Sequence, residues 1–130
     1  MTLSIIIPTC DRPQLLKRAV TSALNNGGSG CEVIVVDDGL EKSELSLSLG
    51  GDIKVITTPG RTGASAARNL GANHATGEYL LFLDDDDMFQ DNYVTDVLNH
   101  ISSTDHKVGA CNTSTKTFVT SDTIITNPTN

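Results

Sequence analysis

Tryptophan is absent from this 130-residue chain, and it has only two tyrosines and three phenylalanines. A core must therefore be built from Ile, Leu, Val and Ala, whose burial stabilises by roughly 25 cal/mol per Å² of apolar surface. Cysteine is scarce as well: Cys10, Cys31 and Cys111 are odd in number and widely spaced. Such a set builds no disulfide framework, and without a Cys-x-x-Cys pair or a His/Cys cluster there is no zinc pattern. Reduced thiols in the cytosol are the simplest reading. His74, His100 and His106 are isolated and show no ligand spacing. Basic charge is short too, with nine Lys and Arg against sixteen Asp and Glu and a formal net charge of -7. A nucleic-acid footprint needs a basic surface, so no nucleic-acid partner is expected. The same deficit argues against an anionic membrane surface. No apolar run approaches the roughly 18–20 residues of a membrane-spanning helix. The N-terminus lacks a basic leader and runs straight into a strand, so it does not read as a signal peptide. The expected location is the cytoplasm, with membrane association only through a longer parent protein.

What remains is ordinary globular material. Hydrophobic residues make up 38% and charged residues 19%, and the length suits one domain core rather than two. Residues 3–7 are a β-branched apolar run closed by Pro8, which predicts a strand buried on both faces. Asp11 stands at an N-cap position, with Pro13 close to the first helical turn. Leu15, Leu16, Ala19, Val20, Ala23 and Leu24 then follow at helical spacing. Gly27-Gly28-Ser29-Gly30 stops that helix. Residues 31–36 read as a second buried strand, ending in Asp37-Asp38-Gly39. Residues 41–49 fit either a short helix or an alternating strand. A third strand spans 53–57, an Ala-rich helix 64–75, and a fourth buried strand 79–83. A helix over 91–102 carries Val94, Val97, Leu98 and Ile101 on one stripe, and 108–111 reads as a fifth strand. These elements make residues 1–112 the principal domain. The Thr/Ser/Asn-rich segment 113–130 reads as edge strands or a partly ordered tail. Strands alternating with helices imply an α/β fold: a mostly parallel sheet with helices on both faces.

Three strands end in polar residues: Pro8-Thr9-Cys10-Asp11-Arg12, Asp37-Asp38-Gly39, and Asp84 through Asp87. Open α/β sheets bind ligands in the crevice outside the carboxyl ends of their strands, so these three ends converge on one crevice. The acidic run is the sharpest feature. Two carboxylates about 5 Å apart repel by roughly 3 kcal/mol at an effective dielectric near 20. Four together raise one another's pKa values or call for a cation. Mg²⁺ or Mn²⁺ suits oxygen ligands and commonly bridges one or two carboxylates to substrate phosphates, which points to a nucleoside diphosphate. The plainer alternative is an N-cap cluster, with Asp87 or Asp91 facing the dipole of the next helix. Arg68 by itself reads as a solvated helical arginine, but the small residues around it let a backbone or phosphate approach closely. Arg61 and Lys54 read as surface charge.

These same residues carry a family likeness. Ser4-Ile5-Ile6-Ile7-Pro8-Thr9 with Arg12 resembles the opening of family 2 glycosyltransferases. Glu32 to Gly39 resembles their second motif and Gly63 to Gly71 their third. Tyr79 to Asp87 resembles the strand bearing their Asp-x-Asp signature. The four motifs occur in order over roughly residues 3 to 90. The resemblance implies a GT-A, Rossmann-like fold and a nucleotide-diphosphate sugar donor, commonly UDP-linked. It also implies metal-assisted, usually inverting, transfer to a glycan, lipid or polysaccharide-precursor acceptor. Pro8, Thr9 and Asp11 would lie along the nucleotide, and Asp38 would accept a hydrogen bond from the base. Arg68 would lie near the base or diphosphate. Asp84 and Asp86 would form the Asp-x-Asp pair, with Asp86 the direct metal ligand and Asp84 or Asp85 near the ribose or diphosphate.

Two departures matter. Leu40 stands where the family often has Ser after Asp-Asp-Gly. The family's general base, an acidic residue well downstream, has no match in this chain, so no catalytic residue is assigned. The acceptor half is expected to be absent, and the apolar surface where it would dock could support self-association. The alternative in another class is a non-catalytic nucleotide-sugar-binding or interaction module. A receiver-like phosphoacceptor domain shares the layout, but it needs an acidic pair after strand one, an Asp after strand three and a Lys after strand five. None of these is found there.

Overall fold

The computed structural model describes residues 3–40, 52–103, 117–119 and 124–126. Its elements run β1 (Leu3–Thr9), α1 (Pro13–Gly27), a 3-10 turn (Gly28–Gly30), β2 (Cys31–Asp37) and β3 (Ile53–Thr57). They continue with α2 (Ala64–His74), β4 (Tyr79–Phe82), α3 (Tyr93–Ser102), β5 (Thr117–Val119) and β6 (Ile124–Thr126). The first four strands form one parallel sheet in the order β3-β2-β1-β4.

β1 is central, and all seven of its residues are buried. Successive side chains of a strand point to opposite faces, so each face receives its own helices. Leu3, Ile5 and Ile7 pack with Val33 and Val35 against Leu16, Ala19, Val20 and Ala23 of α1, and Val94 of α3 joins them. On the other face Ile6, Ile34 and Val36 pack against Ala67 of α2. Gly71 lets α2 sit close. A Cβ there would lie 2.6 Å from Ile6 Cγ2 and 3.0 Å from Val36 Cγ2.

The strand, helix and crossover order follows the sequence reading, with four local corrections. β1 runs through Pro8 to Thr9 instead of stopping at residue 7. The Ile6 carbonyl accepts from Leu83 N–H on the β4 side, and the Thr9 carbonyl accepts from Asp38 N–H on the β2 side. By the two-residue period Pro8 faces β4, whose ladder ends at Ile6↔Phe82, so its missing N–H interrupts no ladder bond. Asp11 is not the helix cap. Arg12 holds that position without a side-chain bond, and Asp11 adopts a left-handed φ of 55°. β4 is not buried on both faces. Leu80 and Phe82 are 42% and 44% exposed, because α2 packs over β1 and β2 and, among the described residues, does not cover β4. Finally, α3 starts at Tyr93 because Asn92 turns left-handed with φ 68°.

The 41–49 segment and the fifth strand expected at 108–111 lie outside the described residues. The two apolar breaks of the tail do form strands. β5 and β6 pair with each other, antiparallel, in a two-stranded sheet of their own.

Candidate functional site

The parallel register sets Thr9 beside Asp37, so the ends of β1 and β2 open side by side. The end of β4 lies on the other flank of β1, tied by the Leu83 N–H to the Ile6 carbonyl at 3.0 Å. Between them is an open cleft of about 310 Å³. Pro8 and Thr9 line it from the end of β1, Cys10 and Arg12 from the link to α1, Asp38 from just beyond β2, and Asp84, Asp85 and Asp86 from the segment after β4. Ala64, Ala67 and Arg68 close it from α2. No side chain caps the N-terminus of α2, and no acidic residue stands in its first turn. The unsatisfied N–H groups and positive dipole end of such a helix favour an anion. The sequence-predicted residues are therefore brought to one cleft, except Asp11. Asp11 stands beyond the lining, with its carboxylate 4.0 Å from Arg61.

The acidic run divides. A turn closed by the Asp87 N–H on the Asp84 carbonyl, at 3.1 Å, splays the four side chains. Carboxylate oxygens of Asp84, Asp86 and Asp87 gather within 4.8 Å of one another. Asp85 turns inward. It is buried and accepts a hydrogen bond from Thr9 Oγ1 at 2.9 Å, with Arg12 Nη1 at 3.4 Å. Burial pushes the Asp85 carboxyl up, and neighbouring Asp86 adds to this. The Thr9 bond and Arg12 pull the other way without reversing it. The run supplies no N-cap to α3, which begins behind Asn92 with no side-chain cap bond.

Part of the acidic charge is met by arginines. Arg68 Nη2 lies 2.8 Å from Asp84 Oδ1, and Arg12 Nη1 lies 3.6 Å from Asp86 Oδ2. Arg18 Nη2 donates to the Asp86 carbonyl at 3.0 Å. Sequence reasoning gave a role only to Arg68; it placed Arg12 at the same crevice, after β1, without assigning it one. Arg18 could not have been found, because its reach depends on how α1 lies against the segment after β4.

Asp38 is enclosed by the loop that follows β3. Its carboxylate accepts from Thr58 Oγ1, from both N–H and Oγ1 of Thr62, and from Gly63 N–H. Burial works to raise this carboxyl, but the hydrogen bonds from Thr58, Thr62 and Gly63 more than reverse it and hold it well below the usual carboxylate range. The loop bends through Gly60, Arg61 and Gly63 at φ 112°, 50° and 102°. Thr58, Thr62 and Gly63 were missed as site residues. Their signal was a Thr/Gly-rich segment at a fourth strand end.

Three clustered carboxylates offer the hard oxygen ligands that Mg²⁺ or Mn²⁺ takes, so Asp84, Asp86 and Asp87 fit such an ion. A guanidinium and a helix N-terminus opposite them suit a polyanion.

Comparison with known proteins agrees with this arrangement. The family model described as glycosyl transferase family 2 matches residues 4–124. An uncharacterized glycosyltransferase of Haemophilus influenzae is 39% identical over 88 residues, covering 67% of this chain and 30% of that protein. A second one from the same organism is 31% identical over 102 residues, covering 75% of this chain and 41% of its own length. The chain thus spans well under half of these relatives. Among solved structures, S. aureus TarS 1-349 in complex with UDP-GlcNAc superposes with a TM-score of 0.68 at 25% identity. That match covers 78% of this chain and 31% of the TarS chain. The parallel sheet with helices on both faces is the GT-A arrangement, and the chain belongs to glycosyl transferase family 2.

Proposed function

We propose that this chain binds a nucleotide-diphosphate sugar, UDP-linked, for metal-dependent inverting transfer to a glycan, lipid or polysaccharide-precursor acceptor. The observation that carries the reading is the clustering of Asp84, Asp86 and Asp87 opposite Arg68 in one cleft at the strand ends. That TarS structures hold UDP and UDP-GlcNAc supports it. Pro8 and Thr9 would lie along the nucleotide, Asp11 at its rim, and Asp38 against the base. Asp84 and Asp86 would hold Mn²⁺ or Mg²⁺, with Asp87 as a third oxygen donor. Such an ion supplies neutralisation of the charge that develops on the leaving diphosphate. Arg68 would share that charge from the α2 side. Asp85 would act from beneath, keeping the end of β4 tied to Thr9. The test is isothermal titration of the chain with UDP, with and without Mn²⁺ or Mg²⁺. Binding is expected only with metal; no binding in its presence overturns the reading.

A further inference from the structure

α1 grips the segment that follows β4 at two points. Arg18 Nη2 donates to the Asp86 carbonyl at 3.0 Å. Ser22 Oγ accepts the Phe89 N–H at 3.0 Å, in a buried bond. Residues four apart lie on one face of a helix, so the two ties stand side by side and bracket residues 86–89. Ser22 spends its only proton on the Ala19 carbonyl at 2.7 Å, which leaves its oxygen to Phe89 as an acceptor. Phe89 is itself buried in the core cluster that includes α1, so the far end of the bracket is anchored. Both ties use backbone groups of the segment and consume no carboxylate oxygen. Asp86 and Asp87 stand inside the bracket, and with Asp84 they form the cluster whose oxygens lie within 4.8 Å of one another.

Arg18 is a poor choice if its task is only to pack against this segment. Its Nε is buried without a partner among the described residues, and an unpaired buried donor is costly. An apolar side chain of similar length would cover the same surface without that loss. The charge of Arg18, next to Asp86, also works against a bound cation. What the guanidinium adds, and an apolar chain cannot, is the bond to the Asp86 carbonyl. A set of chelating oxygens binds best when its spacing is fixed before the ion arrives, because ordering it on binding subtracts from affinity.

We infer that Arg18 and Ser22 are positioning residues for the cation-binding carboxylates: from one face of α1 they hold the backbone of residues 86–89 at both ends, so that Asp86 and Asp87 meet Asp84 at chelating distance. This rests on the reading above that Asp84, Asp86 and Asp87 hold a divalent ion.

The experiment titrates Mn²⁺ into the full chain, as wild type and as Arg18→Met, Arg18→Lys and Ser22→Ala, and follows amide hydrogen exchange of each without metal. Arg18→Met and Ser22→Ala should each weaken Mn²⁺ binding by about threefold to tenfold, the range of one net hydrogen bond. Arg18→Lys keeps a cationic donor and should recover part of the loss. The Arg18→Met result separates positioning from charge and from stability. Removing a cation would by itself tighten Mn²⁺ binding, and a purely structural role would lower the melting temperature and leave affinity alone. Weaker binding with a melting temperature that holds or rises is therefore the expected signature. Without metal, the Asp87 and Phe89 amides should exchange faster in both variants. Glu32→Gln, altered at the opposite end of the strands, should bind Mn²⁺ like the wild type. Unchanged or tighter Mn²⁺ binding in Arg18→Met overturns the inference, as does unchanged exchange at both amides. If Ser22→Ala does not fold, Arg18→Met carries the same test. A wild type that binds no Mn²⁺ sinks the metal reading and this inference together, whereas equal affinities in wild type and variants sink this inference alone.

Discussion

Arg68 Nη2 stands 2.8 Å from Asp84 Oδ1, bridging α2 and the end of β4 across the mouth of the cleft. The two side chains are 36% and 51% exposed. An ion pair this open to water contributes about 0–1 kcal/mol to stability. The contact is therefore easy to exchange. On the proposed reading, a divalent ion among Asp84, Asp86 and Asp87 would compete with the guanidinium for Asp84, and a diphosphate would compete with Asp84 for Arg68.

Arg68→Ala should move two affinities in opposite directions. Binding of Mn²⁺ alone should tighten severalfold, because the competing cation is gone. UDP binding with metal present should weaken by about tenfold, the loss of one charge-assisted contact. The melting temperature should change by no more than roughly 5 °C. Calorimetric titration of metal and nucleotide separately checks this, and two affinities moving together would reject the exchange.

Asp86→Ala removes a half-exposed carboxylate from the cluster. The circular dichroism spectrum should stay as it is, while metal-dependent UDP binding disappears. A variant with wild-type affinity would show that Asp86 does not hold the ion.

Thr9→Val should do the reverse at the neighbouring position. It deletes the buried donor 2.9 Å from Asp85 Oδ2 and leaves a buried carboxylate short of a partner, which costs about 1–3 kcal/mol. Urea unfolding should show that loss in the absence of any ligand. A midpoint equal to wild type would mean that Asp85 finds another donor.

Acid stability should report on Glu32, at the opposite end of the strands from the cleft. Burial tends to raise its carboxyl, but the Ser4 hydroxyl, the N–H and hydroxyl of Thr76, and Lys54 together bring it from 4.5 to about 2. A carboxyl lower in the folded chain stabilises above its unfolded value, and that stability is lost as pH falls through the window between the two. Urea midpoints should therefore fall more steeply for wild type than for Glu32→Gln between about pH 4.5 and 2. Asp85, raised in the folded chain, acts with the opposite sign and opposes stability as pH rises past its ordinary range. Parallel pH curves for the two proteins would refute the Glu32 assignment.

Gly71→Ala tests the seat of α2. Alanine gains up to about 1 kcal/mol of helix propensity over glycine. Its Cβ would meet Ile6 and Val36 at 2.6 and 3.0 Å, and both are stiff, fully buried, β-branched side chains. Overpacking of that kind costs about 1–3 kcal/mol, so net destabilisation is expected by urea unfolding. UDP affinity should fall as well, because α2 carries Arg68. A more stable variant would show that the helix can lift without penalty.

Local pattern was enough to read much of this protein. The apolar, β-branched runs at 3–7 and 31–36 read as buried strands, because continuous apolar faces need cover on both sides, and 53–57 reads as a third strand, which the structure leaves only partly covered. The Ala-rich segment from Ala64 is helical for equally local reasons. Alternation of the two implies parallel pairing, and parallel pairing brings Thr9, Asp38 and the acidic run to one edge. Where the sequence reading failed, the cause was non-local. The 79–83 run looks like the other strands, yet its second face is left open by the position of α2. Asp11 looks like a cap, yet its backbone is left-handed and its carboxylate faces Arg61.

The amino-acid sequence by itself determined that four carboxylates follow an apolar strand, at the sheet edge where Thr9 and Asp38 also end. Only the tertiary structure decided which of them gather together and which turns inward. Asp84, Asp86 and Asp87 gather outward and Asp85 turns in to Thr9 and Arg12. The reason is that a turn's side-chain directions are set by the donors waiting on other elements. Those donors lie 76 residues away in the case of Thr9, beyond the reach of any spacing along the chain.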